Sequence, residues 1–199
     1  MVRYLLIVAL FVNLVAPALA NSSDLYFSCR SCHGDAAQGY AAKNAPALAG
    51  QSADYLARQL SNFKTGKRGA HEADVWGSQM ALMAVNIEMS NIRELSEYIA
   101  SLPPWRNVSA DPVADPELQQ AFAPCAACHG SKGEGNPAFN APRIAGLDAV
   151  YLARQLRNFR DGIRGAAPGD LYGSQMRAAM PSSWEDDTIG RMAEFISGL

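Results

Sequence analysis

The sequence contains one five-residue motif twice, as Cys29-Arg30-Ser31-Cys32-His33 and as Cys125-Ala126-Ala127-Cys128-His129. Both copies follow the pattern C-x-x-C-H, and all four cysteines of the chain lie within them. Two residues three positions apart on a helical turn project from the same face. Each motif therefore presents two neighbouring thiols followed directly by an imidazole.

The C-x-x-C-H pattern is typical of covalent c-type haem attachment. The two sulfurs form thioethers with one porphyrin edge, and the histidine takes one axial position on the iron. The motifs predict two covalently attached haem c groups, each containing iron. The expected haem-binding cysteines are Cys29, Cys32, Cys125 and Cys128, and the expected iron ligands are His33 and His129.

Paired cysteine motifs also occur in zinc sites and in redox-active dithiols. Structural zinc pairs usually lie roughly 15–20 residues apart, whereas Cys32 and Cys125 are separated by 92 residues. A thioredoxin-like dithiol requires a βαβ context, and no strand-rich pattern surrounds either motif. The spacing and the surrounding pattern favour haem.

The motifs belong to an internal duplication. The second motif begins 96 positions after the first, and the same offset relates Tyr55–Leu60 to the identical Tyr151–Leu156. Near the C terminus the offset becomes 97, because Ile92 corresponds to Ile189. The second copy therefore contains one additional residue before its last helix. Such self-similarity indicates two homologous domains.

We expect residues 1–20 to be a secretory signal peptide, residues 21–108 to form the first domain and residues 109–199 the second. The signal is indicated by a single charge at Arg3, an apolar run and the small-residue site Ala18-Leu19-Ala20. A proline-rich linker is expected at about 103–116. The export signal predicts a periplasmic protein.

Helical periodicity runs through both copies. Leu56, Leu60 and Phe63 follow the i, i+4, i+7 pattern of a helix, and their counterparts in the second copy do the same. Asp115 is suited to cap a helix that begins at Pro116. We expect an all-α fold of two tandem domains, with three helices in each domain and loops between them. Met89 and Met192 are expected in the core of the terminal helices.

Composition argues against other classes of function. Beyond residue 20 the chain has 16 basic and 19 acidic side chains, a net charge of −3. No basic excess is available to bind a nucleic acid backbone. No further stretch is long enough to cross a bilayer.

A second protein ligand on each iron would define an electron-transfer centre. Each copy offers two methionines, Met80 and Met83 in the first, Met176 and Met180 in the second. The offset alone does not choose between the pairs, since Met80 matches Met176 at 96 and Met83 matches Met180 at 97. His71 has no counterpart in the second copy and is expected to be a solvated loop residue.

Position favours Met83 and Met180 as the sixth ligands. Each precedes the terminal-helix isoleucine of its copy by nine residues, and Pro181 holds the backbone after Met180 in an extended form. Met80 and Met176 would then be packing residues. A methionine ligand together with histidine raises the reduction potential.

Other repeated residues are candidates for supporting the haem. A metal-bound histidine usually donates its second ring N–H to a fixed acceptor, and the carbonyls of Pro46 and Pro142, 13 positions after each histidine, are candidates for this acceptor. Arg58 and Arg154 are expected either to pair with haem propionates or to lie on a solvated face. Trp76 and Tyr172 are expected to be packing residues, and donation to a propionate is the alternative.

The chain resembles the di-haem class I cytochromes of the cytochrome c4 family. The resemblance rests on the doubled C-x-x-C-H-G, the Ala-Pro-x-x-Ala-Gly loops, the Tyr-Leu-x-x-Gln-Leu helices and the methionines before each terminal helix. It implies periplasmic electron carriers, soluble or membrane-attached, with two domains that face one another across a pseudo-twofold axis. Met180-Pro181 resembles the distal-ligand motif of class I cytochromes, whereas Met83 lacks a following proline.

Three functions remain open at this stage. The first is an electron carrier without a substrate of its own, exchanging electrons with a quinol–cytochrome c reductase, a terminal oxidase or a dehydrogenase, with possible peripheral membrane association. The second is the cytochrome subunit of a periplasmic dehydrogenase of the flavocytochrome c sulfide dehydrogenase type. The third is a di-haem enzyme, which would need an open iron position.

Overall fold

The computed structural model describes residues 22–105 and 115–199. Within these ranges the chain is helical and contains no strand, only two isolated bridges, Tyr40 with Ala45 and Asn136 with Ala141. The all-α prediction is confirmed. The expected signal peptide and the middle of the expected linker lie outside the described residues.

The two halves have the same order of helices. The first half contains α1 (Ser22–Leu25), α2 (Arg30–His33), α3 (Ala53–Lys64), α4 (Val75–Ala84) and α5 (Asn91–Ser101). The second contains α6 (Pro116–His129), α7 (Ala149–Arg160), α8 (Leu171–Ala179) and α9 (Asp186–Ser197). Short 3-10 turns lie at Phe27–Cys29, Ala41–Lys43 and Pro137–Phe139.

The prediction of three helices per domain was wrong, because the methionine segments are the helices α4 and α8 rather than loops. Each begins at an aspartate whose Oδ1 accepts a hydrogen bond from a glycine N–H, at 3.0 Å from Gly77 to Asp74 and at 3.1 Å from Gly173 to Asp170. This capping satisfies one of the free donors at a helix start.

Each half has its own core, formed where α3 packs on α5 and where α7 packs on α9. The predicted apolar positions of these helices are buried. Met192 is buried as expected, but Met89 is 56% exposed, so its predicted core position was wrong. Met89 lies just before α5 and outside its buried stripe.

Helix ends position the cysteine motifs. Asp115 caps α6 as predicted, accepting from the N–H groups of Glu117 and Leu118, with Pro116 at the first helical position. Gly34 and Gly130 follow the two histidines with φ angles of 81° and 85°, a conformation that glycine adopts without strain. The chain therefore turns sharply after each histidine. None of the helices described is long and apolar enough to span a membrane.

Candidate functional sites

The four cysteines lie in helical segments and form no disulfide. Cys29 ends a 3-10 turn and Cys32 lies in α2, whereas Cys125 and Cys128 both lie in α6. Cys29 and Cys125 are partly buried, and burial raises the pKa of both thiols. The second cysteine of each motif is exposed.

The two histidines have nearly identical surroundings. His33 and His129 are each 7% exposed. The Nδ1 of His33 lies 2.8 Å from the carbonyl oxygen of Pro46, and that of His129 lies 2.9 Å from the carbonyl oxygen of Pro142. A carbonyl only accepts, so Nδ1 carries the proton and Nε2 keeps its lone pair for a metal. The predicted role of the two proline carbonyls is confirmed.

Burial also keeps these imidazoles neutral. Desolvation lowers the pKa of both His33 and His129, while the hydrogen bonds to the proline carbonyls act in the opposite direction. The neutral imidazole is the form that binds a metal ion. Both histidines are thus held in a ligating protonation state.

The loops that carry the prolines are built alike. Asn44 and Asn140 end the 3-10 turns in the left-handed conformation, with φ angles of 53° and 52°. Two residues later the chain reaches Pro46 or Pro142. Backbone hydrogen bonds from Gly39 to the carbonyl of His33, at 2.8 Å, and from Gly135 to that of His129, at 2.7 Å, close each loop on its histidine.

The donor set of each half fits a haem c group. Each half provides two free thiols on neighbouring turns, one imidazole with an unprotonated nitrogen and thioethers in the following segment. Nitrogen and soft sulfur donors suit haem iron. Among the described residues no group of three or more His, Cys, Asp or Glu side chains converges, as a four-thiolate zinc site would require.

The four methionines differ in their position within the helices. Met80 and Met176 are the sixth residues of α4 and α8, are partly buried and pack against the core of their own half. Met83 lies within α4 and is 46% exposed, whereas Met180 follows the end of α8 with an extended backbone and also packs, partly buried, against the core of its half. Only Met80 and Met176 therefore occupy equivalent structural positions.

His71 is exposed, and its Nδ1 accepts a hydrogen bond from the backbone N–H of Ala73 at 3.1 Å. This local contact agrees with the expectation of a solvated loop residue.

Arg58 and Arg154 connect the two halves. Arg58 donates to the backbone oxygen of Asn140 at 2.7 Å and to its Oδ1 at 3.3 Å. Arg154 donates to the backbone oxygen and Oδ1 of Asn44 at 2.9 and 2.8 Å. The expectation of a solvated face was wrong, because each guanidinium crosses to the loop of the other half.

Tyr172 and Trp76 pack against these arginines. The Arg58 guanidinium lies 4.4 Å from the centre of the Tyr172 ring, and the Asn140 amide donates to the Tyr172 hydroxyl at 3.0 Å. Arg154 lies 5.9 Å from the Trp76 ring centre. The packing role is confirmed for both aromatic residues.

Two further arginines lie at the centre of the interface. Arg68 and Arg164 are 9% and 8% exposed. Each donates to both Gln59 and Gln155, at distances between 2.7 and 3.1 Å. Arg68 also donates to the hydroxyl of Tyr151, and nearby arginines lower the pKa of that phenol against the effect of its burial.

Buried amide–carboxylate pairs extend this contact. The Asn62 amide donates to Asp170 at 3.1 Å and the Asn158 amide to Asp74 at 3.3 Å. The two aspartates are also the caps of α8 and α4, so each helix start is held by a residue of the other half.

Sequence reasoning did not assign these interface residues a role. They are polar residues repeated at the same offset of 96, which is a signal that could have found them. Polar side chains are not needed to build the apolar core of either half. Their retention in both copies therefore signals a polar role, which in the structure is the contact between the halves.

Comparison with known proteins agrees with this geometry. The cytochrome c family model matches residues 19–103 and again 118–199. Cytochrome c4 of Azotobacter vinelandii is 33% identical over 190 residues, covering 86% of this chain and 84% of the relative. The thiosulfate dehydrogenase electron acceptor of Stutzerimonas stutzeri is 31% identical over 177 residues, covering 86% of this chain and 79% of that protein.

The fold is also found among solved structures. The crystal structure of reduced recombinant cytochrome c4 from Pseudomonas stutzeri matches with a TM-score of 0.74 and 28% identity, covering 89% of this chain and 96% of that one. The chain belongs to the cytochrome c family, with two tandem domains and two covalently bound haem c groups. Its relatives include cytochromes c4, which are electron-transfer proteins.

Proposed function

We propose that this protein is a periplasmic di-haem electron carrier without a catalytic reaction of its own. Bound haem iron supplies one-electron redox chemistry at each site. The protein fixes the axial histidines, keeps their second nitrogens protonated and holds the two sites in one rigid contact. The export expected for residues 1–20 would deliver the chain to the compartment of its periplasmic relatives.

One observation carries this proposal. The same buried imidazole, hydrogen-bonded through Nδ1 to a proline carbonyl, occurs in both halves at 2.8 and 2.9 Å. A fixed second-shell acceptor of this kind orients the ring and raises its basicity as a ligand. Two such sites suit storage and transfer of two single electrons.

The sixth ligand in each half is proposed to be a methionine on or next to α4 and α8. Spacing along the sequence favours Met83 and Met180. The structure supports Met80 and Met176, because a duplicated site should use equivalent positions and only these two share one. We therefore give precedence to Met80 and Met176.

Four single substitutions by leucine separate the two pairs. We expect Met80→Leu and Met176→Leu each to remove about half of the near-infrared methionine-to-iron charge-transfer band of the oxidised protein. Met83→Leu and Met180→Leu are the matched controls and should leave the band intact. If the controls lose the band instead, the spacing-based pair provides the ligands.

Absence of the near-infrared methionine-to-iron band from the unsubstituted protein would contradict the carrier proposal. Prompt binding of carbon monoxide by its reduced form would contradict it too. An open iron position would then favour a di-haem enzyme.

A second candidate function is that of acceptor or cytochrome subunit for a dehydrogenase. The observation in its favour is the 31% identity to a thiosulfate dehydrogenase electron acceptor. Mixing the oxidised protein with a thiosulfate dehydrogenase and thiosulfate tests it. Fast reduction of both haems supports thiosulfate dehydrogenase as the electron donor. If only a quinol–cytochrome c reductase reduces the haems, the protein is the general carrier that donates to a terminal oxidase.

A further inference from the structure

The interface holds the loop that supports the second haem histidine from both sides. Pro142, whose carbonyl accepts from His129, lies between Asn140 and Arg143 in the chain. Arg58 donates to the backbone oxygen of Asn140 at 2.7 Å, and the Gln51 amide donates to the backbone oxygen of Arg143 at 2.7 Å. Both donors belong to the first half.

The surroundings of Gln51 and Arg58 restrict the positions of both side chains. Gln51 is only 5% exposed. Arg58 lies over the Tyr172 ring and also contacts the Asn140 side chain, so its planar guanidinium is fixed in two directions. The loop between the two anchored carbonyls therefore has little freedom to move its own carbonyl at Pro142.

The reciprocal arrangement has fewer hydrogen bonds. Arg154 of the second half donates twice to Asn44, two residues before Pro46, at 2.8 and 2.9 Å. The position equivalent to Gln51 is Leu147, whose side chain has no amide to donate. Among the described residues, the loop of the first half is therefore held by one hydrogen-bonding side chain of the second half, together with the packing of Ala47 in the apolar core of that half.

We propose that Arg58 and Gln51 are positioning residues for the haem of the opposite half, acting through the Pro142 carbonyl on His129, and that Arg154 acts likewise on His33. A hydrogen bond to the axial histidine tunes the electron density that the ligand gives to the iron. In the part of the chain that the structure describes, the contact between the halves therefore reaches the second haem's histidine through two hydrogen-bonding side chains and the first haem's histidine through one. This inference rests on the proposed di-haem function.

Exchange of the histidine ring proton tests the proposal directly. The reduced holoprotein, labelled with ¹⁵N-histidine, is transferred to D₂O, and exchange of the Nδ1 protons of His129 and His33 is followed by NMR. Arg58→Lys keeps the positive charge but loses the two-pronged contact. We expect several-fold faster exchange at His129 and no change at His33, and the same pattern for Gln51→Leu.

Two further variants complete the test. Arg154→Lys should accelerate exchange at His33 alone, because no second amide from the described residues of the other half holds that loop. Lys67→Ala, which removes an exposed contact between the halves, from Lys67 to the backbone oxygen of Gly169, should leave both protons unchanged. The proposal is overturned if Arg58→Lys leaves His129 unchanged, if it affects both histidines equally, or if Lys67→Ala has the same effect.

Haem content is determined first on every sample from its absorption spectrum. An unsubstituted protein that lacks two low-spin haems contradicts the proposed function. A variant with two haems but unaltered exchange contradicts only the positioning roles.

Discussion

Single residues in this protein are constrained most tightly where the backbone approaches another polar group. A Cβ atom added at Gly173 would lie 2.0 Å from Oδ2 of Asp170, the cap of α8. Gly190, in the middle of α9, has no atom within 4 Å of its Cβ position. A side chain is therefore excluded at Gly173 by the capping carboxylate, whereas Gly190 has room for one.

Substitution by alanine should reveal this difference. Gly173→Ala is expected to destabilise the protein by about 1–3 kcal/mol, because the new methyl group displaces the capping carboxylate. Gly190→Ala should stabilise it by up to about 1 kcal/mol through helix propensity. Chemical denaturation of the holoproteins measures both. Equal effects of the two substitutions would contradict the close contact at the α8 cap.

At this scale the sequence was informative wherever a chemical motif fixes the geometry. The spacing of 13 residues from histidine to proline predicted the hydrogen bonds of His33 and His129. Arg58 and Arg154 were recognised as repeated, but their partners were not, because Asn44 and Asn140 lie in the other half. Contacts that are distant in sequence leave no local pattern.

Among the elements, the segment between α7 and α9 is held by a cluster of charges. Arg160, at the end of α7, bonds Asp161 and Asp186 and donates to the backbone oxygen of Trp184 at 2.9 Å. The same arginine lowers the pKa of both aspartates, with its hydrogen bonds as the largest cause. It thereby links the end of α7 to the start of α9 across the segment that contains Met180.

The pH dependence of this link follows from the lowered carboxyl pKa values. The stabilising contribution is fully present above the ordinary carboxyl pKa of about 4 and is lost as the pH falls through the lower values of the folded state. Arg160→Gln should reduce stability at pH 7 and reduce this acid sensitivity, while Arg157 still pairs with Asp186 at 3.2 Å. Denaturation midpoints of the two proteins between pH 7 and pH 3 check it. Parallel curves would contradict the assignment.

Helices with a regular apolar stripe, such as α3, α5, α7 and α9, were predictable from the sequence. The helices α4 and α8 were not, because their start depends on Asp74 and Asp170, which are themselves held by Asn158 and Asn62 of the opposite half. Their partly apolar, glycine-containing sequences show no clear periodicity. Contacts between the halves thus stabilise α4 and α8, two helices that local propensity alone does not predict.

On the scale of the whole molecule, the duplication gives two haem sites joined by a polar contact. Burying Arg68 and Arg164 beside one another is costly unless their donors are satisfied. The shared Gln59 and Gln155 accept from the terminal nitrogens of both guanidiniums, while the Nε of Arg68 is buried without a hydrogen-bond partner among the residues described. Such a hydrogen-bond network stabilises one relative placement of the two halves. A fixed placement suits electron transfer between two centres, which depends on their separation.

The central claim is that both irons have two protein ligands and exchange one electron each. A potentiometric titration of the purified holoprotein, followed by its optical spectrum, tests this most directly. We predict two electrons per chain, low-spin spectra for both haems throughout, and no spectral change when carbon monoxide is added to the reduced protein. Uptake of a single electron, or a reduced haem that binds carbon monoxide at once, would contradict the account.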